Sequence, residues 1–240
     1  MTKPQLHTIL SPTQLKLYDI EKSIMVIIDV FRATSTIAAA LYNGAKCVIP
    51  VDTVDKAISI SKSIEGIAAG ERDGKIAEGL THGNSPLEYP AEFITDRTLV
   101  LTTTNGTKLL HLALQKGVDT IVTASFPNID AVCAYLLSQN KDVILGCSGW
   151  KDRFNLEDTL CAGAIINKVK DAFTIHCDSS LMAESLYRQH EDNLPAFSTQ
   201  FTHYHRLVKR MGLQADIDFC LTPNIANVLP LYKDGKLIVG

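Results

Sequence analysis

Several features are missing from this sequence, and each absence removes a class of function. No run approaches the ~20 consecutive apolar residues of a membrane-spanning helix, and the opening segment MTKPQLHTILSP carries no hydrophobic signal region. The six cysteines (Cys47, Cys133, Cys147, Cys161, Cys177, Cys220) show no CxxC spacing, which argues against a zinc site or a dithiol redox motif. Basic runs are absent too, and a net charge of −3 gives no electrostatic basis for binding nucleic acid or an anionic membrane. No GxxxxGK(S/T) loop occurs, so a P-loop nucleotide site is excluded. These absences leave a cytoplasmic enzyme or ligand-binding protein, with cysteines packed reduced in the core.

What is present is an ordinary globular composition: 46% hydrophobic and 20% charged residues in 240. With no Pro-, Gly- or Ser-rich linker, the expectation is one α/β domain over 1–240, or two intimately packed lobes of about 1–170 and 171–240. The organising stretch is Ser23–Ile37, SIMVIIDVFRATSTI. Its apolar run Ile24–Ile28 suits a strand covered on both faces of a parallel sheet. It runs into Asp29, then Arg32, then Thr34, Ser35 and Thr36 where a helix should begin. Ligands of such sheets gather at the carboxyl ends of strands, beside helix amino termini that offer free N–H groups to anions.

Further along, the pattern predicts an edge strand over Leu6–Leu10, a helix over Ser35–Tyr42, a strand over Cys47–Val51 and a helix over Thr53–Ser63 capped by Thr53. The segment Ile67–Pro90 reads as a long irregular loop of functional residues. Strands follow over Thr98–Thr102, Thr120–Ala124 and Val143–Cys147, with helices over Ile129–Ser138 and Leu156–Lys170, the latter capped by Asn155. The last third reads as helices over Ser180–Arg188 and Thr202–Met211, a loop over Leu194–Phe201, and strands over Asp216–Leu221, Val228–Leu231 and Lys236–Val239. At a fixed offset of 73 residues Thr34 falls on Thr107, Leu41 on Leu114 and Gly44 on Gly117. That offset suggests a repeated βαβ unit whose two turns, one with Asp29 and Arg32 and one with Thr102–Thr107, face one cleft. The fold expectation is therefore a layered α/β/α arrangement on a largely parallel sheet.

Phosphate chemistry needs negative charge on oxygens to be neutralised, by Mg²⁺ on carboxylates and by Arg or backbone N–H groups. Asp29, Glu71, Glu157 and Asp158 sit near strand ends and form a hard oxygen set that fits Mg²⁺ better than zinc. Glu157 and Asp158 also suit the dipole of the helix whose first turn they occupy. Asp29 could be a nucleophile or a metal ligand. A haloacid-dehalogenase-type phosphatase would carry a second aspartate two positions on, where this chain has Phe31. His82, His203 and His205 carry no pattern of their own.

Six blocks in order, IDVFRATST (Ile28–Thr36), GER (Gly70–Arg72), GNSP (Gly83–Pro86), LTTTNGT (Leu101–Thr107), SFPN (Ser125–Asn128) and LEDTLCAGA (Leu156–Ala164), resemble the 2-phosphosulfolactate phosphatase family. The resemblance implies a Mg²⁺-dependent hydrolase that converts 2-phospho-3-sulfolactate to 3-sulfolactate and phosphate, a step tied to coenzyme M formation. It implies Asp29 and Arg32 at the reaction centre and Mg²⁺ on Asp29, Glu157 and Asp158 with Glu71. Arg32, Thr103, Asn105 and Thr107 would hold phosphate, and Arg72, Asn84 and Ser85 the carboxylate or sulfonate. The alternatives are a phosphatase of another small phosphorylated hydroxy acid, and a phospholigand-binding protein without turnover. The apolar composition permits a homodimer.

Overall fold

The computed structural model describes residues 2–103 and 106–240. In chain order the elements are β1 (Leu6–Ile9), β2 (Ile24–Ile28), α1 (Ala33–Tyr42), β3 (Cys47–Val51), α2 (Val54–Ile64), β4 (Ile67–Arg72), β5 (Lys75–Ile76), α3 (Ala91–Ile94), β6 (Thr98–Thr102), α4 (Gly106–Gln115) and β7 (Thr120–Ala124). They continue with α5 (Ile129–Gln139), β8 (Val143–Cys147), α6 (Leu156–Val169), α7 (Asp178–His190), α8 (Leu194–Ser198), α9 (Thr202–Tyr204), α10 (Gln214–Leu221), β9 (Pro230–Lys233) and β10 (Lys236–Val239).

One 10-stranded sheet runs β1-β8-β2-β7-β9-β10-β3-β6-β4-β5. Within it β1, β8, β2 and β7 form one parallel block. A second parallel block comprises β3, β6 and β4. The β9–β10 hairpin joins the blocks by antiparallel pairing of β9 with β7 and of β10 with β3. Three antiparallel steps separate β7 from β3, so the blocks run in opposite senses. The mixed α/β class and the largely parallel sheet agree with the sequence reading.

Strand β2 shows why an all-apolar run becomes a central strand. Ile24, Val26 and Ile28 share a core with Ile129 and Val132 of α5 and Leu160 and Ile165 of α6. Met25 and Ile27 share the opposite core with Leu109, Leu110 and Ala113 of α4. Alternating side chains thus feed two cores, as a strand sandwiched between helices requires. Truncating one of them, as in Ile28→Ala, costs ~2–5 kcal/mol by the usual cavity-plus-transfer penalty.

The crossover from β2 to β3 spans the hairpin, and α1 makes it by being narrow. Its sequence ATSTIAAALY is buried from Ala33 through Leu41, and it touches β7, β9 and β3. The β6–α4–β7 crossover returns the other way, so the 73-residue offset corresponds to two crossovers that exchange the blocks.

Several segments depart from expectation. Ile67–Arg72 is a strand, because its small residues pair in register with β6 from Ile67↔Leu99 to Gly70↔Thr102. Its tight return to β5 uses Asp73 at φ +52° and Gly74 at φ +86°, the two left-handed positions of a type I′ hairpin. Asp216–Leu221 is helical: Asp216, Ile217, Cys220 and Leu221 are buried, which is one helical face and not a strand face. Leu194–Ser198 is a short helix with Pro195 in its first turn, where the missing N–H costs nothing. Asn155 precedes α6 without a side-chain cap bond. All six cysteines are free and buried, and burial pushes the Cys220 thiol up to about 12. No helix among the described residues is long and apolar enough to cross a membrane.

Candidate active site

Beyond β2 the chain turns sharply through Asp29 and Arg32, which are 8% and 5% exposed. The Phe31–Arg32 peptide bond is cis. The hydroxyls that follow hold this turn together: Thr34 Oγ1 accepts from the Asp29 N–H at 3.1 Å, Ser35 Oγ donates to Val30 O at 2.9 Å, and Thr36 Oγ1 donates to Asn84 O at 3.0 Å. They build the site's backbone and do not present a hydroxyl cluster to a ligand.

Arg32 has a built-in counterion. Its Nη1 donates to Asp216 Oδ2, its Nη2 to Gly74 O at 3.2 Å, and the second Asp216 oxygen accepts from Ser85 Oγ at 3.0 Å. Desolvating both charges is expensive, and such a pair survives burial when further hydrogen bonds complete it. Arg32 therefore reaches the site rigid and already neutralised.

Residues from the ends of β2, β4 and β6 line one small cleft. Asp29, Glu71, Asn84 and Thr103 line it from the strand ends and the loop before Ser85, and His203, Arg206 and Leu207 line it from a later helical segment as a second wall, with Trp150 against Arg206. Asn84 Oδ1 and Thr103 Oγ1 are buried without a hydrogen-bond partner among the described residues. Buried polar atoms are ordinarily paired, so two orphans in one cleft mark where a ligand's polar atoms fit.

The expected carboxylates divide. Asp29 and Glu71 line the cleft, and Glu71 Oε2 also accepts from the Gly74 N–H at 2.7 Å. Asp158 lies off the cleft, accepting from the Val30 N–H at 2.9 Å and the Gly149 N–H at 3.0 Å. Gly149 needs to be glycine there, since its φ is +59° and an added Cβ would sit 2.1 Å from Arg153 O. Burial, then the neighbouring charges of Glu157 and Asp29, hold the Asp158 carboxyl well above its usual range. Glu157 Oε1 lies 2.6 Å from His203 Nδ1, while its Oε2 is buried and has no hydrogen-bond partner among the described residues. Among the described residues no group of three or more His, Cys, Asp or Glu surrounds a common point. The four-carboxylate set is thus divided: Asp29 and Glu71 line the cleft, while Glu157 pairs with His203 and Asp158, beside Glu157 and Asp29, ties two loops to α6.

Of the expected ligand-holding residues, Arg32, Asn84 and Thr103 line the cleft. Arg72 does not; its guanidinium donates to Glu71 O at 2.6 Å and Thr102 Oγ1 at 3.0 Å. Ser85 is committed to Asp216, and Thr107 Oγ1 donates to Thr103 O at 3.0 Å, closing the turn into α4. Asn105 lies outside the described residues. The residues not foreseen are Trp150, His203, Arg206 and Asp216. His203 meets Phe31 edge-on at 5.8 Å, and the Arg206 guanidinium lies 4.2 Å from the centre of the Trp150 ring. An isolated histidine and an arginine within HYHRLVKR carry no local sequence signal; only the fold brings them here.

Together these features define an α/β protein whose ligand cleft, rich in carboxylate and arginine, lies at the strand ends of a mostly parallel sheet. The particular family follows from comparison with known proteins. A family model described as 2-phosphosulpholactate phosphatase matches residues 9–235, and the chain belongs to that family of phosphoric monoester hydrolases. A probable 2-phosphosulfolactate phosphatase of Thermotoga maritima is 40% identical over 215 residues, 89% of this chain and 91% of the relative. Similar proteins with the same description occur in Caldanaerobacter subterraneus, 38% identical over 221 residues and 90% of each chain, and in Synechocystis, 40% identical over 212 residues, 85% of this chain and 87% of the relative.

Proposed function

We propose that this chain hydrolyses 2-phospho-3-sulfolactate to 3-sulfolactate and phosphate, with Mg²⁺ as its cofactor. The observation that carries the reading is the pair of orphaned buried atoms, Asn84 Oδ1 and Thr103 Oγ1, in one cleft with Asp29, Arg32 and Arg206. The cleft's donors Asp29, Glu71, Asn84 Oδ1 and Thr103 Oγ1 are all oxygen. Mg²⁺ commonly uses one or two carboxylates and completes its shell with water and substrate phosphate, so this set fits it. Asp29 and Glu71 are the residues that would hold it, and the ion would neutralise charge on the phosphoryl oxygens.

The chain's own groups supply the rest. Arg32, fixed by Asp216, orients one phosphoryl oxygen, and the Thr103 hydroxyl donates to another. Asn84 Oδ1 can only accept, so it suits the attacking water and not the phosphate. Asp29 acts as metal ligand in this reading, because the position two residues on is an apolar Phe31. With Nδ1 of His203 turned to Glu157, Nε2 is the ring atom left to protonate the departing sulfolactate oxygen. The six buried free cysteines suit a reducing cytoplasmic setting, where the step would serve coenzyme M formation.

Phosphate release by the purified protein tests this. The expected result is release from 2-phospho-3-sulfolactate with added Mg²⁺ and its loss in excess chelator. Full activity in chelator would remove the metal. Thermal stabilisation by the ligand without any release would make the chain a binding protein instead.

A further inference from the structure

The cleft's two arginines differ in one respect that the proposed reaction leaves unused. Arg32 has its charge matched by Asp216 through a direct bond. Arg206 makes no direct ion pair among the described residues, although Glu157, Glu71 and Asp73 lie close enough to act on its charge; its guanidinium rests on Trp150 at 4.2 Å, and its Nε is buried without a hydrogen-bond partner. It is carried on a π-helical turn, His205–Lys209, an irregularity often found where a helix must aim a functional side chain. Trp150, in turn, is fixed by reciprocal backbone hydrogen bonds with Arg153, 2.8 Å from its N–H and 3.0 Å to its carbonyl. A flat cation held on an indole face presents a fixed fork of N–H donors that suits an oxyanion. With Arg32 and Thr103 already assigned to the phosphate, it is the cation left over for the substrate's second tetrahedral anion.

We infer that Arg206, stacked on Trp150, is the specificity-determining residue of the cleft and binds the sulfonate group of the substrate, while Arg32 and Thr103 hold the phosphate. The assignment rests on the proposed hydrolysis of a phosphorylated sulfonate and names the group that the strand-end wall does not bind. It also replaces Arg72 and Ser85, whose polar groups are engaged off the cleft. Trp150 acts as a positioning residue: it holds the guanidinium plane without touching substrate.

The test separates the two anions by using each as a probe. Calorimetric titration with 3-sulfolactate and, separately, with inorganic phosphate is made on the wild type, Arg206→Gln and Arg206→Lys. The expected result is a loss of sulfolactate affinity of 10-fold or more in Arg206→Gln, with a smaller loss in Arg206→Lys and phosphate affinity changed less than 3-fold in both. Equal losses for both probes, unchanged sulfolactate affinity, or no sulfolactate binding by the wild type would each overturn the assignment. If neither Arg206 variant folds, as read by circular dichroism, Trp150→Leu decides: selective weakening of sulfolactate supports the stacked cation, and parallel weakening overturns it. Wild-type phosphate release separates this from the underlying reading. Absent hydrolysis with intact Arg206-dependent sulfolactate binding would remove the reaction and leave the subsite.

Discussion

The two walls of the cleft are built in different ways. The strand-end wall is local: Asp29 directly follows β2, Thr103 directly follows β6 and Glu71 lies within β4, and the β4–β6 register sets Glu71 beside Thr103. The second wall is carried by α9 and the π-helical turn, with Asp216 of α10 behind Arg32, and it is aligned by pairings far apart in sequence. Arg32 meets Asp216 across 184 residues, and Glu157 meets His203 across 46. The contrast suggests a division of labour, with the rigid sheet placing the reacting phosphate and the helical segment supplying the proton and the second cation. A glycine connects them: Gly74 packs so closely that an added Cβ would lie 2.8 Å from Met211 Sδ, and its carbonyl accepts from Arg32.

Breaking the strand-end wall should have the largest effect on turnover. Asp29→Asn is expected to lower kcat by at least roughly 10²–10³-fold, the scale for losing a preorganised charge at a reacting group, with a Tm close to wild type; steady-state phosphate release checks it. Cutting the tie between the walls should appear first in stability. Asp216→Ala leaves the Arg32 cation buried and unpaired, at a cost of ~3–5 kcal/mol, read by urea denaturation; replacing both partners by apolar residues should recover part of the loss. On the helical wall, His203→Gln is expected to lower kcat roughly 10²-fold, the low end of acid–base contributions, with KM little changed. If it instead raised KM alone, His203 would be a binding residue.

The smallest effect lies behind the walls, at Asp158. Its folded-state pKa is raised above the unfolded value near ~3.9, so between those two values the folded state holds more protons than the unfolded one. Its contribution to stability is full below the lower value and is lost as pH rises toward the upper one, by at most about 1.4 kcal/mol per pH unit. Asp158→Asn does not titrate there. The wild-type minus variant difference in unfolding free energy, measured against pH, should therefore fall from about pH 4 upward; a rise would contradict the assignment.

The first wall was legible in the sequence because its logic is short-range. An apolar run ending in Asp29, and a second ending in Thr102–Thr103, mark strand ends whatever else the chain does. The second wall was not. Asp216–Leu221, DIDFCL, alternates in a way that mimics a strand, and only packing of Ile217 and Cys220 on one side makes it a helix. Ile67–Arg72 resembled a loop because Ala68, Ala69 and Gly70 lack the bulk that advertises a strand; their smallness suits the close approach to β6, where a Cβ on Gly70 would lie 2.3 Å from Thr102 O. Arg72 was misplaced for a physical reason too. Side chains alternate along β4, so the site that takes Glu71 turns its neighbour away.

The most direct test of the two-wall account is a crystal structure with Mg²⁺ and 3-sulfolactate bound. The account predicts the sulfonate oxygens against the Arg206 guanidinium, with the C2 hydroxyl oxygen directed toward His203 and the strand-end wall and the metal on Asp29 and Glu71. A sulfonate seated beside Arg72, or a metal held by Glu157 and Asp158 away from Asp29, would contradict it.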